Sequence, residues 1–182
     1  FRNMKLKTIA ISFLILVFSC SSISAKPKNY PINGRNLTWS DFKGTPDKNS
    51  SYWAYTYWKV YYNYDSPQIV NNKVSINFKV RCELDPKSWV KNNPLIELKK
   101  EQLLNHEQGH FNIAQMLVRE LEKNFKAYEY NMTTYVDEIK VIFDTTFQKY
   151  LDMEKRYDIE TNNMNNVENQ EKWNKFFQES LK

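Results

Sequence analysis

The sequence predicts an α+β fold, an N-terminal antiparallel β-sheet followed by a helical half, and three observations carry that reading. Residues 52–64 are crowded with tyrosine and tryptophan, a composition that favours strands. Residues 73–83 alternate apolar and polar, the period of a half-buried strand. From Glu97 onward apolar residues recur at three- and four-residue steps, the period of an amphipathic helix. The 182 residues are 41% hydrophobic and 26% charged, with only three glycines, which suits one domain with its own core. Collagen-like, coiled-coil and disordered classes are excluded by the same figures.

The first element is an expected export signal. Met4 is followed by Lys5 and Lys7, then by an apolar run from Ile9 to Phe18 and small residues up to Ala25. A basic start, a short apolar stretch and a small-residue cleavage site describe a secretory signal over 1–25. The run is shorter than the ~20 apolar residues that a membrane span needs. Cleavage after Ser24-Ala25 competes with a second route: Val17-Phe18-Ser19-Cys20 resembles a lipobox, which would place a lipid anchor on Cys20. Either route puts the mature domain, residues 26–182, in the periplasm, the cell envelope or the extracellular space. The chain carries a net charge of +5, and losing Arg2, Lys5 and Lys7 with no acid leaves +2. No long basic block remains, so no nucleic-acid partner is expected. Cys82 then has no disulfide partner and reads as a buried thiol.

Residues 26–50 are polar and rich in turn formers, and within them Leu37–Phe42 reads as a short strand or packed loop. The aromatic segment at 52–64 and the strand at 73–83 flank the turn signals Asp65-Ser66-Pro67 and Asn71-Asn72, which predicts an antiparallel hairpin. On the second strand Val74, Ile76, Phe78, Val80 and Cys82 share one face. A helix is expected from about Glu97 to Tyr128, with Leu103, His106, His110, Ile113, Ala114, Leu117, Leu121 and Phe125 on its buried stripe. A second runs from about Thr134 past Tyr150, with the stripe Val136, Ile139, Phe143, Thr146, Tyr150, Met153, Tyr157, Glu160. A break at Asn162–Asn166 precedes a last helix bearing Val167, Gln170, Trp173, Phe177 and Leu181.

The chemistry lies on the first helix. His106-Glu107-Gln108-Gly109-His110 is an HExxH motif, formed by the only two histidines of the chain. Side chains at i and i+4 stand one turn apart on a common face, so both imidazoles can reach one zinc ion. Glu107 is placed to hold a water on that metal and take its proton. Gly109, in mid-helix, either allows close approach of a strand or of substrate or is simply tolerated there. A catalytic zinc needs a third protein ligand, and with no third histidine a carboxylate is expected. Glu160 continues the second helix's stripe and is the first choice, with Asp158 the alternative. A glutamate on a helix packed against HExxH is the gluzincin arrangement.

At this point the chain resembles a family of predicted bacterial secreted zinc-dependent proteases, domain-of-unknown-function family 922. The resemblance rests on Leu37-Thr38-Trp39-Ser40-Asp41-Phe42-Lys43-Gly44, Ala54-x-Thr56, Ser88-Trp89-Val90, and above all Leu103 to Ile113. It continues in Tyr157-Asp158-Ile159-Glu160-Thr161 and Gln170-x-x-Trp173. It implies a zincin-like peptidase acting on a peptide or protein substrate. Relatives follow Glu-Thr with one residue and then a histidine; here that place holds Asn163, which is a poor zinc ligand but can still donate a hydrogen bond. The expected function is an exported zinc peptidase with zinc on His106, His110 and Glu160, Glu107 as base, and Tyr157 or Asn163 stabilising the oxyanion. The alternative is a non-catalytic envelope protein that binds a partner or metal through the same fold.

Overall fold

A computed structural model describes residues 35–71 and 73–182. The expected signal over 1–25, with Cys20, lies outside the described residues. Among them no helix is long and apolar enough to cross a membrane.

The N-terminal half holds three two-stranded antiparallel sheets. Strand β1 is Ala54–Tyr55, β2 Trp58–Tyr64, β3 Gln68–Val70, β4 Lys73–Ser75, β5 Phe78–Leu84 and β6 Trp89–Val90. The long pair is β2 with β5, in register Trp58↔Leu84 to Tyr64↔Phe78. The expected hairpin is therefore present, with one refinement. Residues 73–83 divide at Ile76-Asn77, and the β3–β4 ribbon forms the turn end of the hairpin. The alternation holds through the break, since Phe78, Val80, Cys82 and Leu84 turn inward while Lys79, Arg81 and Glu83 are exposed. Cys82 is a free, half-buried thiol, and burial pushes it up to about 11. Leu37–Phe42 is a packed loop with one 3-10 turn at Trp39–Asp41, and Leu37 and Phe42 are buried on either side of it.

The helical half begins with a single turn, α1 (Pro94–Glu97), whose N-terminus is capped by the Asn93 side chain and opened by Pro94. Then come α2 (Lys100–Ala127), α3 (Tyr135–Thr161) and α4 (Val167–Ser180). Helix α2 is the centre of the molecule and touches β1, β2, β5 and the other three helices. Its stripe Ile113, Leu117, Leu121 and Phe125 meets Ile139, Phe143, Tyr150 and Tyr157 of α3 and Trp173 and Phe177 of α4 in one core. On α3 the stripe departs from expectation at both ends. Val136 is exposed, and after Tyr157 the buried row steps four residues to Thr161, leaving Glu160 outside. Helix α3 stops where Asn162 adopts a left-handed conformation, φ 45°, and the N–H groups of Asn162 and Asn163 cap the carbonyls of Ile159 and Asp158. Asn tolerates that backbone better than other residues bearing a Cβ.

Residues 85–88 lock the gap between β1 and β2. Ser88 Oγ donates to the carbonyls of Asp85 and Tyr57 and accepts from the Tyr57 N–H. Gly44 lies so close to this turn that a Cβ would fall 2.0 Å from the Lys87 carbonyl oxygen. Burial works to raise the Asp85 carboxyl, but Lys59 at 2.6 Å and the Lys87 N–H hold it below its usual value. A depressed carboxylate stabilises the fold above its unfolded pKa of about 3.9, and the contribution vanishes as pH falls through the folded value. Asp85→Ala should therefore cost about 1–2 kcal/mol at neutral pH. Its thermal midpoint should also fall less steeply than the parent's below about pH 4, as read by circular dichroism.

Candidate metal centre

The HExxH residues occupy the second and third turns of α2, where His106 and Glu107 are buried and His110 is half-buried. The i, i+4 spacing brings the two imidazoles to one side, ring centroids 5.0 Å apart. Helix α3 crosses them with Glu154 and Asp158, one turn apart on its own face. Asp158 Oδ1 lies 3.4 Å from His106 Nε2 and 3.2 Å from His110 Nε2. These three atoms lie within 4.8 Å of one another and could hold a metal ion. Ligand atoms on a tetrahedral ion with bonds of about 2.0–2.1 Å sit roughly 3.3 Å apart, close to both measured separations.

The ring orientations are set from behind. Gln170 of α4 donates its amide N–H to Tyr157 Oη and Asn174 Oδ1, which turns its Oε1 toward His106 Nδ1 at 3.1 Å. The Nδ1 proton of His106 is thereby assigned, and the Nε2 lone pair faces Asp158. His110 Nδ1 is held by Glu154 Oε2 at 2.5 Å, and the other Glu154 oxygen accepts from Trp58 Nε1. Burial disfavours a charged His110, yet Glu154 and Asp158, at its two nitrogens, outweigh it and raise its pKa well above the usual imidazole range. Burial likewise pushes Asp158 up, and the two histidines override it and hold the carboxyl far below its normal value. The field that favours a proton on His110 Nε2 favours any cation placed there.

Asp158 Oδ1 is buried and, with both Nε2 atoms unprotonated, has no hydrogen-bond partner. An orphaned carboxylate oxygen facing two imidazole nitrogens is a donor set that fits a metal ion. Glu107 stands beside it, its Oε2 accepting from Thr56 Oγ1 at 2.6 Å. Burial raises the Glu107 carboxyl, and His110, His106 and the Thr56 bond oppose that rise. All of these groups open on a cavity of about 460 Å³, walled by aromatic and aliphatic side chains from β1, β2, α1 and α3.

The structure brings together His106, Glu107 and His110 as expected, and corrects two other assignments. Glu160 is not with them: its carboxylate accepts from Trp173 Nε1 and faces Arg156, in the crevice between α3 and α4. The place belongs to Asp158, because the inward row steps from Tyr157 to Thr161 and puts 158, beside 154, on the flank toward α2. Tyr157 is fully buried behind the histidines, donates to the His106 carbonyl at 3.0 Å, and stacks on the His106 ring. With its hydroxyl used on both sides it is a positioning residue and cannot meet an oxyanion. Asn163 lines the cavity. Four groups went unassigned at the sequence level: Tyr52, Thr56, Glu154 and Gln170. Thr56 and Gln170 stand in the motifs Ala54-x-Thr56 and Gln170-x-x-Trp173, but a motif carries no contact.

Residues 28–166 match a family model described as a bacterial protein of unknown function, DUF922. The chain belongs to that family. The match spans HExxH, Asp158 and Asn163, so the three residues that could hold a metal ion lie inside the family region, while Gln170 lies beyond it. No curated protein and no solved structure matches the chain.

Gly109 is the point on which Tyr157 rests. A Cβ there would lie 2.1 Å from Tyr157 Oη and 2.4 Å from Cζ, so the close approach is by a side chain of α3 and not by a strand or substrate. Gly109→Ala should destabilise the fold by roughly 1–3 kcal/mol despite its better helix propensity. In a thermal-melt double-mutant cycle with Tyr157→Leu, the two losses should fall short of additive.

Proposed function

We propose that the chain is an exported zinc peptidase, with zinc held by His106, His110 and Asp158 and with Glu107 as general base. The observation that carries this reading is the convergence of two Nε2 atoms and one orphaned carboxylate oxygen beside a buried glutamate, at the wall of an open cavity. Three protein ligands are the pattern of a catalytic zinc, which keeps one position for water or substrate; structural zinc is closed by four. When bound, zinc lowers the pKa of its water to about 7 and polarises a carbonyl.

The protein's own part follows from its hydrogen bonds. Thr56 holds one oxygen of Glu107, which leaves the other free to orient a water and accept its proton. A carboxyl raised by burial holds that proton more readily than a solvated one and can pass it to the leaving amine. Gln170 and Glu154 keep both imidazoles in the tautomer that turns Nε2 to the metal, as outer partners do in zinc sites generally. The apolar walls limit water around the reacting groups and strengthen each of these interactions.

Two predictions test this reading. Purified protein titrated with Zn²⁺ should bind about one ion. His106→Ala and Asp158→Ala should lose most of that affinity, while Glu160→Ala should leave it unchanged; the reverse order for the two carboxylates would sink the ligand assignment. Glu107→Gln should keep zinc and fold while losing cleavage of a broad peptide library, by about a hundredfold or more. A zinc-loaded parent that cleaves nothing would favour the binding-protein alternative.

A further inference from the structure

Among the described residues, the buried side-chain polar atoms without a hydrogen-bond partner are Tyr52 Oη, Asp158 Oδ1 and Asn163 Oδ1. All three residues line the one cavity of about 460 Å³. Folded proteins satisfy nearly all buried polar groups, so orphans gathered around a single cavity mark where a ligand supplies the partners. Asp158 is accounted for by the cation. Tyr52 and Asn163 are not.

Their chemistry is complementary. The Tyr52 hydroxyl is buried with no hydrogen-bond partner, and a phenol carries its proton at neutral pH, so it has one to give. An amide oxygen with no donor near it has a lone pair to receive one. A peptide group presents one carbonyl acceptor and one N–H donor, so an unpartnered donor and an unpartnered acceptor lining the same cavity suit a main-chain segment. Tyr52 comes from the segment leading into β1, where its N–H donates to Ser50 Oγ and its ring packs edge-on to Tyr55, and Asn163 comes from the turn that ends α3. The Asn163 N–H is tied to the Asp158 carbonyl, and Gln102 of α2 donates to the carbonyl of Met164. Much of the cavity wall is apolar, and Leu95 and Leu98, which also line it, are 58% and 83% exposed. Bare leucines in an aromatic-lined cavity suit an apolar side chain of the bound segment.

We propose that Tyr52 and Asn163 are a main-chain clamp for an extended polypeptide, Tyr52 donating to a substrate carbonyl and Asn163 Oδ1 accepting a substrate N–H. The apolar part of the wall receives a bulky apolar side chain. This rests on the peptidase reading for the site and adds to it the substrate class: extended, apolar polypeptide.

The test measures binding without turnover, using the zinc-loaded Glu107→Gln chain and tryptophan fluorescence. The probes are acetyl-Leu-Phe-Ala-Leu-amide, its analogues with each internal amide replaced in turn by an ester, and acetyl-Ser-Gln-Ala-Ser-amide. The apolar amide should bind best. Tyr52→Phe and Asn163→Gly should each weaken it by about tenfold, the loss expected for one buried hydrogen bond. Glycine is chosen because φ is 49° at Asn163, and Asn163→Asp, which keeps an acceptor, should restore binding. One ester analogue should bind the parent as weakly as the amide binds Asn163→Gly, and that variant should no longer tell the two apart. The clamp is overturned if the parent binds none of the probes, or if both variants bind the amide within about twofold of the parent while retaining fold and zinc. Binding as described by a parent that cleaves nothing would uphold the clamp and reject the peptidase.

Discussion

The stacking of Tyr157 against His106, made possible by the missing side chain of Gly109, is the contact on which the rest of the site depends. It sets how closely α2 and α3 approach, and therefore whether Asp158 reaches the two histidines. The tyrosine hydroxyl donates to the His106 carbonyl and accepts from Gln170, so one buried group joins α2, α3 and α4. A hydroxyl in an apolar core is costly unless satisfied, and this one is satisfied by the His106 backbone and by Gln170, which also holds the His106 ring.

The strands contribute in a different way. The β2–β5 pair lies against α2 and delivers Trp58 to Glu154, while the gap between β1 and β2 delivers Thr56 to Glu107. That gap keeps its shape because the 85–88 turn satisfies its backbone through Ser88 and because Gly44 lets a further loop close over it. The N-terminal half thus does more than cover the helices. It holds Glu107 from one side while α3 and α4 hold His106, His110 and Asp158 from the other, and the cavity lies between. Preorganisation of this kind places charge where a reaction needs it without rearrangement at the moment of reaction.

The site also concentrates its unmet hydrogen-bonding capacity in one place. Elsewhere the described side chains are well satisfied, even deep in the α2–α3–α4 core where Thr146, Thr161, Gln170 and Asn174 all find partners. Against that background, unpartnered atoms on the cavity wall are better read as binding capacity than as imperfect packing.

The sequence by itself determined the α+β division, the β2–β5 hairpin, the helices of the C-terminal half and the placement of His106 and His110 on one buried face with Glu107 turned aside from them. These follow from local periods, and an i, i+4 pair remains a pair wherever its helix packs. It did not determine the third carboxylate. Each residue along a helix turns by about 100°, so reading a three-residue step after Tyr157 where the chain takes four swings the inward face from Thr161 to Glu160. That choice is made by Gly109, Tyr157 and Trp173 packing together, with Trp173 drawing the Glu160 carboxylate into the α3–α4 crevice. Tertiary structure likewise decided that Tyr157 braces the site from behind and that Tyr52 opens into it. Tyr52 opens an aromatic segment and Tyr157 continues an apolar helix stripe, and only the neighbours that reach them from distant segments separate a satisfied hydroxyl from an unpartnered one.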